Sequence, residues 1–230
     1  SFILALAVQN DGKIIGTGLR ESHGATQIIV FRLTTTGRLD TSFGSGGVVA
    51  TLLSNRLGCF PYAIAVQRDG KVVVAGSCFN PEKLQGNGFV ARYTPSGALD
   101  TGFGMRGWSP ITLGRQGGEL FDLSIQIDGK YTLVGWALND NAEQIAVVRL
   151  KVDGQPDSSF GRSGIALTRV ASPGRGRAVA IAPTDGRLVV AGSSNYFEPG
   201  ESFFLARFHG LSCHGFAVTL AGTPNAESVT

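Results

Sequence analysis

The sequence repeats itself four times, which restricts the chain to architectures built by copying and stacking one small unit. Gln9-Asn-Asp-Gly-Lys13 returns as Gln67-Arg-Asp-Gly-Lys71, Gln126-Ile-Asp-Gly-Lys130 and Pro183-Thr-Asp-Gly-Arg187. The Asp residues of this motif, 11, 69, 128 and 185, lie 58, 59 and 57 residues apart. A second motif keeps step with the first: Leu39-Asp-Thr-Ser-Phe-Gly44, Leu99-Asp-Thr-Gly-Phe-Gly104 and Pro156-Asp-Ser-Ser-Phe-Gly161. Its fourth copy is lost, with Leu211 to His214 in its place.

Each unit reads as four short strands. In the second unit these are Tyr62–Gln67, Lys71–Ser77, Gly88–Thr94 and Trp108–Leu113. Asp-Gly between apolar runs predicts a two-residue hairpin of type I′, with both residues at positive φ. Runs such as Val72-Val-Val-Ala75 and Leu188-Val-Val-Ala191 are apolar without alternation, as in strands covered on both faces. Gly is 33 of 230 residues and the charged fraction is 16%, a composition of strands and turns rather than helices or disorder. The expected fold is all-β: a β-propeller of four four-stranded antiparallel blades. A solenoid of stacked meanders is the competing arrangement. The chain is read as one repeat domain over 1–230, with blades at about 1–57, 58–116, 117–173 and 174–222 and a tail at 223–230.

The register of Ala-Val-Gln-x-Asp-Gly-Lys, a Val-rich strand ending in Ala-Gly, and Ala-Arg-Tyr-x-x-x-Gly-x-Leu-Asp-Thr-x-Phe-Gly resembles the delta-60 repeat family. The resemblance spans residues 3 to about 209. It implies a bacterial, propeller-forming and mostly extracytoplasmic protein. It carries no common activity, and relatives often have more than four repeats.

One Arg returns in each third strand: Arg32, Arg92, Arg149 and Arg207. The neighbours are apolar, so a buried guanidinium needs an anionic partner. Asp40, Asp100 and Asp157 each lie eight residues on, and a planar bidentate pair is expected for Arg32–Asp40, Arg92–Asp100 and Arg149–Asp157. Arg207 has Gly215 at that spacing and is the one Arg expected to be free. Phe43, Phe103 and Phe160 are expected to wedge between neighbouring blades.

Catalytic and metal signals are weak. His23, His209 and His214 form no convincing ligand set, and Asn139–Glu143 lacks the calcium-loop pattern and reads as a solvated hairpin loop. Arg115–Gly118 and Pro173–Arg177 are Gly-rich without the Lys-Ser/Thr of a phosphate loop. No catalytic residue, metal or cofactor is assigned. Cys59 and Cys78 lie on opposite arms of one hairpin, where a disulfide is geometrically possible and two buried thiols are the alternative. Cys213 is left over.

A net charge of +3 does not argue for nucleic acid, and no apolar run is long enough for a membrane helix. Function is therefore sought in the loops. One end of the meander repeats its turns; the other varies in length and chemistry, and loops on a rigid scaffold are where binding residues gather. Tyr196, Phe197, Glu198 and Glu201 form the best contact patch, although packing of that loop on its neighbour explains them equally well; His23 and Arg207 complete the candidate set. The favoured reading is a non-enzymatic binding or scaffolding module for a protein or carbohydrate, secreted, periplasmic or at the cell surface. The alternative is a propeller lyase or hydrolase with its site in the central mouth. The apolar faces at Ile3–Val8 and Phe203–Phe208 need cover, so the terminal blades are expected to pack on further blades or a partner subunit.

Overall fold

The structure is a computed structural model that describes residues 1–22, 25–54, 58–82, 85–169, 174–194, 202–209 and 217–221. Its elements are all strands, and no helix occurs among the described residues. The chain divides into two compact units, Ser1–Ile111 and Thr112–Thr230.

In the first unit, β1 (Phe2–Val8), β2 (Ile14–Ser22), β3 (Ala25–Leu33) and β4 (Val48–Thr51) form one sheet in chain order. A second sheet holds β5 (Gly58–Val66), β6 (Val72–Asn80), β7 (Gln85–Tyr93) and β8 (Trp108–Ile111). The second unit repeats this with β9 (Gly118–Ile125), β10 (Tyr131–Asn139), β11 (Ala142–Leu150) and β12 (Ile165–Thr168). Its other sheet holds β13 (Gly174–Ile181), β14 (Leu188–Ser194), β15 (Ser202–His209) and β16 (Ala217–Ala221). Every pairing is antiparallel. The fourth strand of the second sheet is shorter than expected, ending at Ile111.

The Asp-Gly hairpins differ from the expected type I′. In the first, Gly12 N donates to Gln9 O and Gln9 N to Lys13 O, so the loop has three residues, as in the second and third; in the fourth, Ala182 N donates to Arg187 O and the loop has four. Only the glycine has positive φ: 82° at Gly12, 81° at Gly70 and 81° at Gly129. This is a type I turn closed by a left-handed glycine. The Asp stays at negative φ, and its Oδ1 accepts the N–H two residues on, 3.1 Å from Lys13 N. The type I′ geometry occurs instead between β10 and β11, where Asp140 and Asn141 have φ of 51° and 61°. Asn and Asp are the residues that best tolerate it without Gly.

Each unit's core lies between its two sheets. In the first, Ile15, Ile28, Val30 and Phe43 meet Val72, Val74, Phe89, Ala91 and Tyr93. In the second, Val134, Ile145, Val147 and Phe160 meet Val179, Leu188, Val190, Phe204 and Phe208. Burying each such side chain is worth about 1.5–3 kcal/mol. Val72 and Val74 lie in this core, and Val73 between them, on the opposite face of β6, is buried as well, so the strand is covered on both faces and shows no alternation.

All four first strands carry a bulge. The pairing slips between Ile3 and Ala5 in β1, Phe60 and Ala63 in β5, Leu120 and Asp122 in β9, and Gly176 and Ala178 in β13. The residues displaced are Leu4, Pro61-Tyr62, Phe121 and Arg177. A glycine faces each bulge: Gly18, Gly76, Gly135 and Gly192, always seven residues after the motif Asp. A Cβ there would run into the carbonyl oxygen of Phe2, Phe60, Glu119 or Arg175. The glycine that ends the Val-rich strand is thus required by a close backbone approach, and the bulge re-aims its side chain.

Candidate functional site

The two recurring motifs meet in one charged network. In the first sheet Arg32 Nε donates to Asp40 Oδ2 at 2.9 Å, Nη2 to Ser42 Oγ at 3.0 Å, and Nη1 to the Pro95 carbonyl at 2.7 Å. The guanidinium therefore spreads over three acceptors and is not the expected bidentate fork. The geometry explains why: Lys13 Nζ, from the Asp-Gly-Lys turn, sits 3.0 Å from the same Asp40 oxygen. Ser42 holds Oδ1 through its backbone N–H and its hydroxyl. Arg32 also lies 4.8 Å over the Phe43 ring, so the recurring Phe is a platform for the Arg as well as core.

The pattern repeats. Arg92 Nε is 2.8 Å from Asp100, with Lys71 at 3.0 Å and Phe103 beneath. Arg149 Nε is 2.8 Å from Asp157, with Lys130 at 3.1 Å, Ser159 on Oδ1 and Phe160 beneath. The Ser42 hydroxyl and then Lys13 hold the Asp40 carboxyl far below the usual carboxylate range. Burial opposes charge at Asp157, but Ser159 and Lys130 outweigh it and depress that carboxyl as strongly. Burial likewise opposes charge at Asp100, where Lys71 and Arg92 prevail; Gly102 replaces the serine and gives only its N–H. Carboxylates held this way stay ionised at neutral pH and are poor proton donors or acceptors. The Lys and Ser partners escaped the sequence reading. Their signal was available: the Lys recurs in register with the Arg and Asp in all three intact units, and the Ser in two of them.

Arg207 is not free. Its Nη2 donates to Asp185 Oδ2 at 2.7 Å, and Arg187 Nε stands 3.5 Å from the same oxygen. With the second motif lost, the turn Asp takes over as the acceptor. The replacement is incomplete: Arg207 Nε is buried without a hydrogen-bond partner among the described residues.

Cys59 and Cys78 form the expected disulfide, joining directly opposed residues of β5 and β6. Beside it Phe60 and Tyr62 stack with ring centres 6.3 Å apart.

The second unit holds a cluster the sequence reading missed. Arg175 Nε donates to Glu143 Oε2 at 2.9 Å and Nη2 to Oε1, and the guanidinium lies 4.2 Å over Trp136. Arg177, at the β13 bulge, lies 4.4 Å over Phe121, at the β9 bulge. Glu143 is therefore not a solvated loop residue: only the turn itself, Asp140-Asn141, is exposed. Burial pushes the Glu119 carboxyl up, although Arg175 and Arg177 pull it back. Burial also pushes Asp122 up against two N–H bonds, from Val179 at 2.8 Å and Leu123 at 2.8 Å. Pro173–Arg177 was legible only as Gly-rich sequence. Nothing local showed that an edge strand begins at Gly174 and carries two stacked arginines.

Of the other candidates, Tyr196, Phe197, Glu198, Glu201 and His23 lie outside the described residues, as do Cys213 and His214. Among the described residues no three His, Cys, Asp or Glu side chains gather as a metal site. No helix among them is long and apolar enough to cross a membrane.

The family model described as "Domain of unknown function (DUF5122) beta-propeller" matches four times, at 9–43, 67–103, 126–160 and 184–210. Each match opens at the Asp-Gly turn, and the first three close on the recurring Phe. No curated protein matches the chain. With more than half of the chain matched and four four-stranded antiparallel sheets, the chain belongs to the DUF5122 β-propeller family.

Proposed function

We propose that this propeller is a non-catalytic binding or scaffolding module of an extracytoplasmic compartment, related to the delta-60 repeat proteins. The observation that carries the reading is the closed charge network. The three recurring carboxylates are each tied to Arg, Lys and backbone N–H groups and held in the ionised form. The repeated chemistry thus serves the scaffold, and recognition falls to the parts that vary between units. The Cys59–Cys78 bridge suits a secreted, periplasmic or cell-surface protein. The ligand is a protein or carbohydrate held by the varied loops, with Tyr196 and Phe197 as stacking surface and Glu198, Glu201 and His23 as polar contacts.

The test is binding of the chain to an array of polysaccharide fragments and extracellular proteins. A Tyr196→Ala/Phe197→Ala variant should lose the signal, and the ligand should be recovered chemically unchanged. Turnover would instead favour the lyase or hydrolase reading. That reading draws on Glu119 and Asp122, two carboxyls raised by burial on one strand. Glu119→Gln would then abolish turnover.

A further inference from the structure

We propose that the outer face of the first sheet is a socket for the fourth sheet of a second copy of this chain, so that copies join head to tail. The first sheet buries Ile15, Ile28 and Val30 against its neighbour and turns Leu6, Ile29, Phe31 and Val48 the other way. On β1, Ile3, Leu6 and Val8 are 65%, 61% and 71% exposed. A groove of about 210 Å³ opens on this face between Ile3, Ile29, Phe31 and Val48. Apolar surface of this extent marks an interaction site.

The repeat identifies the occupant. One unit later, the positions of Leu6, Val8, Ile29, Phe31 and Val48 are held by Ile64, Val66, Phe89, Ala91 and Trp108. All five belong to the core against Ile15, Ile28 and Val30. The open face of the first sheet is therefore the receiving half of an interface the molecule already builds. The inserting half stands open on the fourth sheet. Leu205 pairs with Ala191 as Val30 pairs with Thr17, and Phe203 with Ser193 as Ile28 with Leu19. Phe203 and Leu205 are 69% and 46% exposed, and Ala178 and Ala180 beside them are exposed too. Socket and plug differ in shape and sequence, so the contact is heterologous and leaves one of each open at the ends of a dimer.

Light scattering of the 230-residue chain across the micromolar range tests this. The mass should rise above 24.1 kDa with concentration. Leu6→Asp and Phe203→Asp each alter an exposed side chain, and each should weaken self-association about tenfold or more by burying an unpaired carboxylate. Mixed, they should form a one-to-one heterodimer and nothing larger, since one intact socket meets one intact plug. Circular dichroism matching the wild type verifies the fold of both. A wild-type chain that stays monomeric overturns the proposal. Undiminished self-association of Phe203→Asp alone also overturns it, because socket would then be meeting socket.

Discussion

In the first unit the residues around the bulges of β1 and β5 are Phe2, Leu4, Phe60 and Tyr62; in the second, β9 and β13 put Glu119, Phe121, Arg175 and Arg177 at the same places. The backbone does not differ: the same slip in pairing and the same facing glycine occur in both. The glycine cannot change, because a carbonyl oxygen occupies the space of its Cβ. The side chains can, because the bulge lifts them off the sheet's regular packing. The units also fasten this region differently. The first uses a covalent bridge, Cys59–Cys78; the second uses Glu143 gripping Arg175 on the face of Trp136. A repeat thus constrains backbone approach and the charge network, and leaves the re-aimed positions free to take on chemistry.

The shared frame is where the largest effects belong. Arg32→Met in the first unit and Arg149→Met in the second should be the most destabilising single changes of their units, because each strips Asp40 or Asp157 of its guanidinium and leaves only the lysine and serine to hold the charge. Denaturant unfolding read by hydrogen exchange in each unit checks this; a cost confined to one unit would break the equivalence. The same network makes the fold acid-sensitive. The folded-state pKa values of Asp40, Asp100 and Asp157 are depressed, so their contribution is fully present above the unfolded value of about 4 and is lost as pH falls below it. Asp157→Asn should flatten the acid limb of a stability–pH curve, and an unchanged slope there would show the carboxylate is not linked to folding.

Next in size is the fastening. Cys59→Ala/Cys78→Ala should destabilise the first unit by roughly 2–5 kcal/mol and leave exchange in the second unchanged. Glu143→Gln should do the converse, lowering protection of β13 by about 1–2 kcal/mol while the first unit keeps its stability. The smallest effect is again one-sided. Tyr93 donates its buried hydroxyl to Thr51 at 3.0 Å, whereas Leu150 and Phe208, which hold that position in the two sheets of the second unit, carry no hydroxyl. Tyr93→Phe should cost about 1 kcal/mol. In the unaltered protein burial pushes this phenol up to about 12, so alkaline difference spectroscopy should show a late ionisation that Tyr93→Phe removes.

Much of the frame was legible because it is local or in register. The Asp-Gly turns, the hairpins and the Arg–Asp spacing of eight all lie within one unit, and three intact copies expose any position that cannot vary. Turn type was misread because Asp-Gly satisfies two hairpin geometries, and only the pairing partner distinguishes a two-residue from a three-residue loop. Arg207 was misread because the loss of one acceptor says nothing about another 22 residues upstream in the chain. The cluster of Glu119, Glu143, Arg175 and Arg177 left no periodic trace, since its members belong to different strands and different sheets of one unit.

From residues alone came four units, sixteen strands and the identity of the buried ions, because hydrogen-bonding periods and turn chemistry act over a few residues and the repeat averages out exceptions. The tertiary structure decided where the bulges fall, why a glycine must stand seven residues after each motif Asp, and which lysines and serines share each aspartate. It also decided which sheet faces are buried and which stay open. Those outcomes depend on distances between strands far apart in sequence, where a single carbonyl's approach or a single ring's position selects among side chains that composition treats as equal.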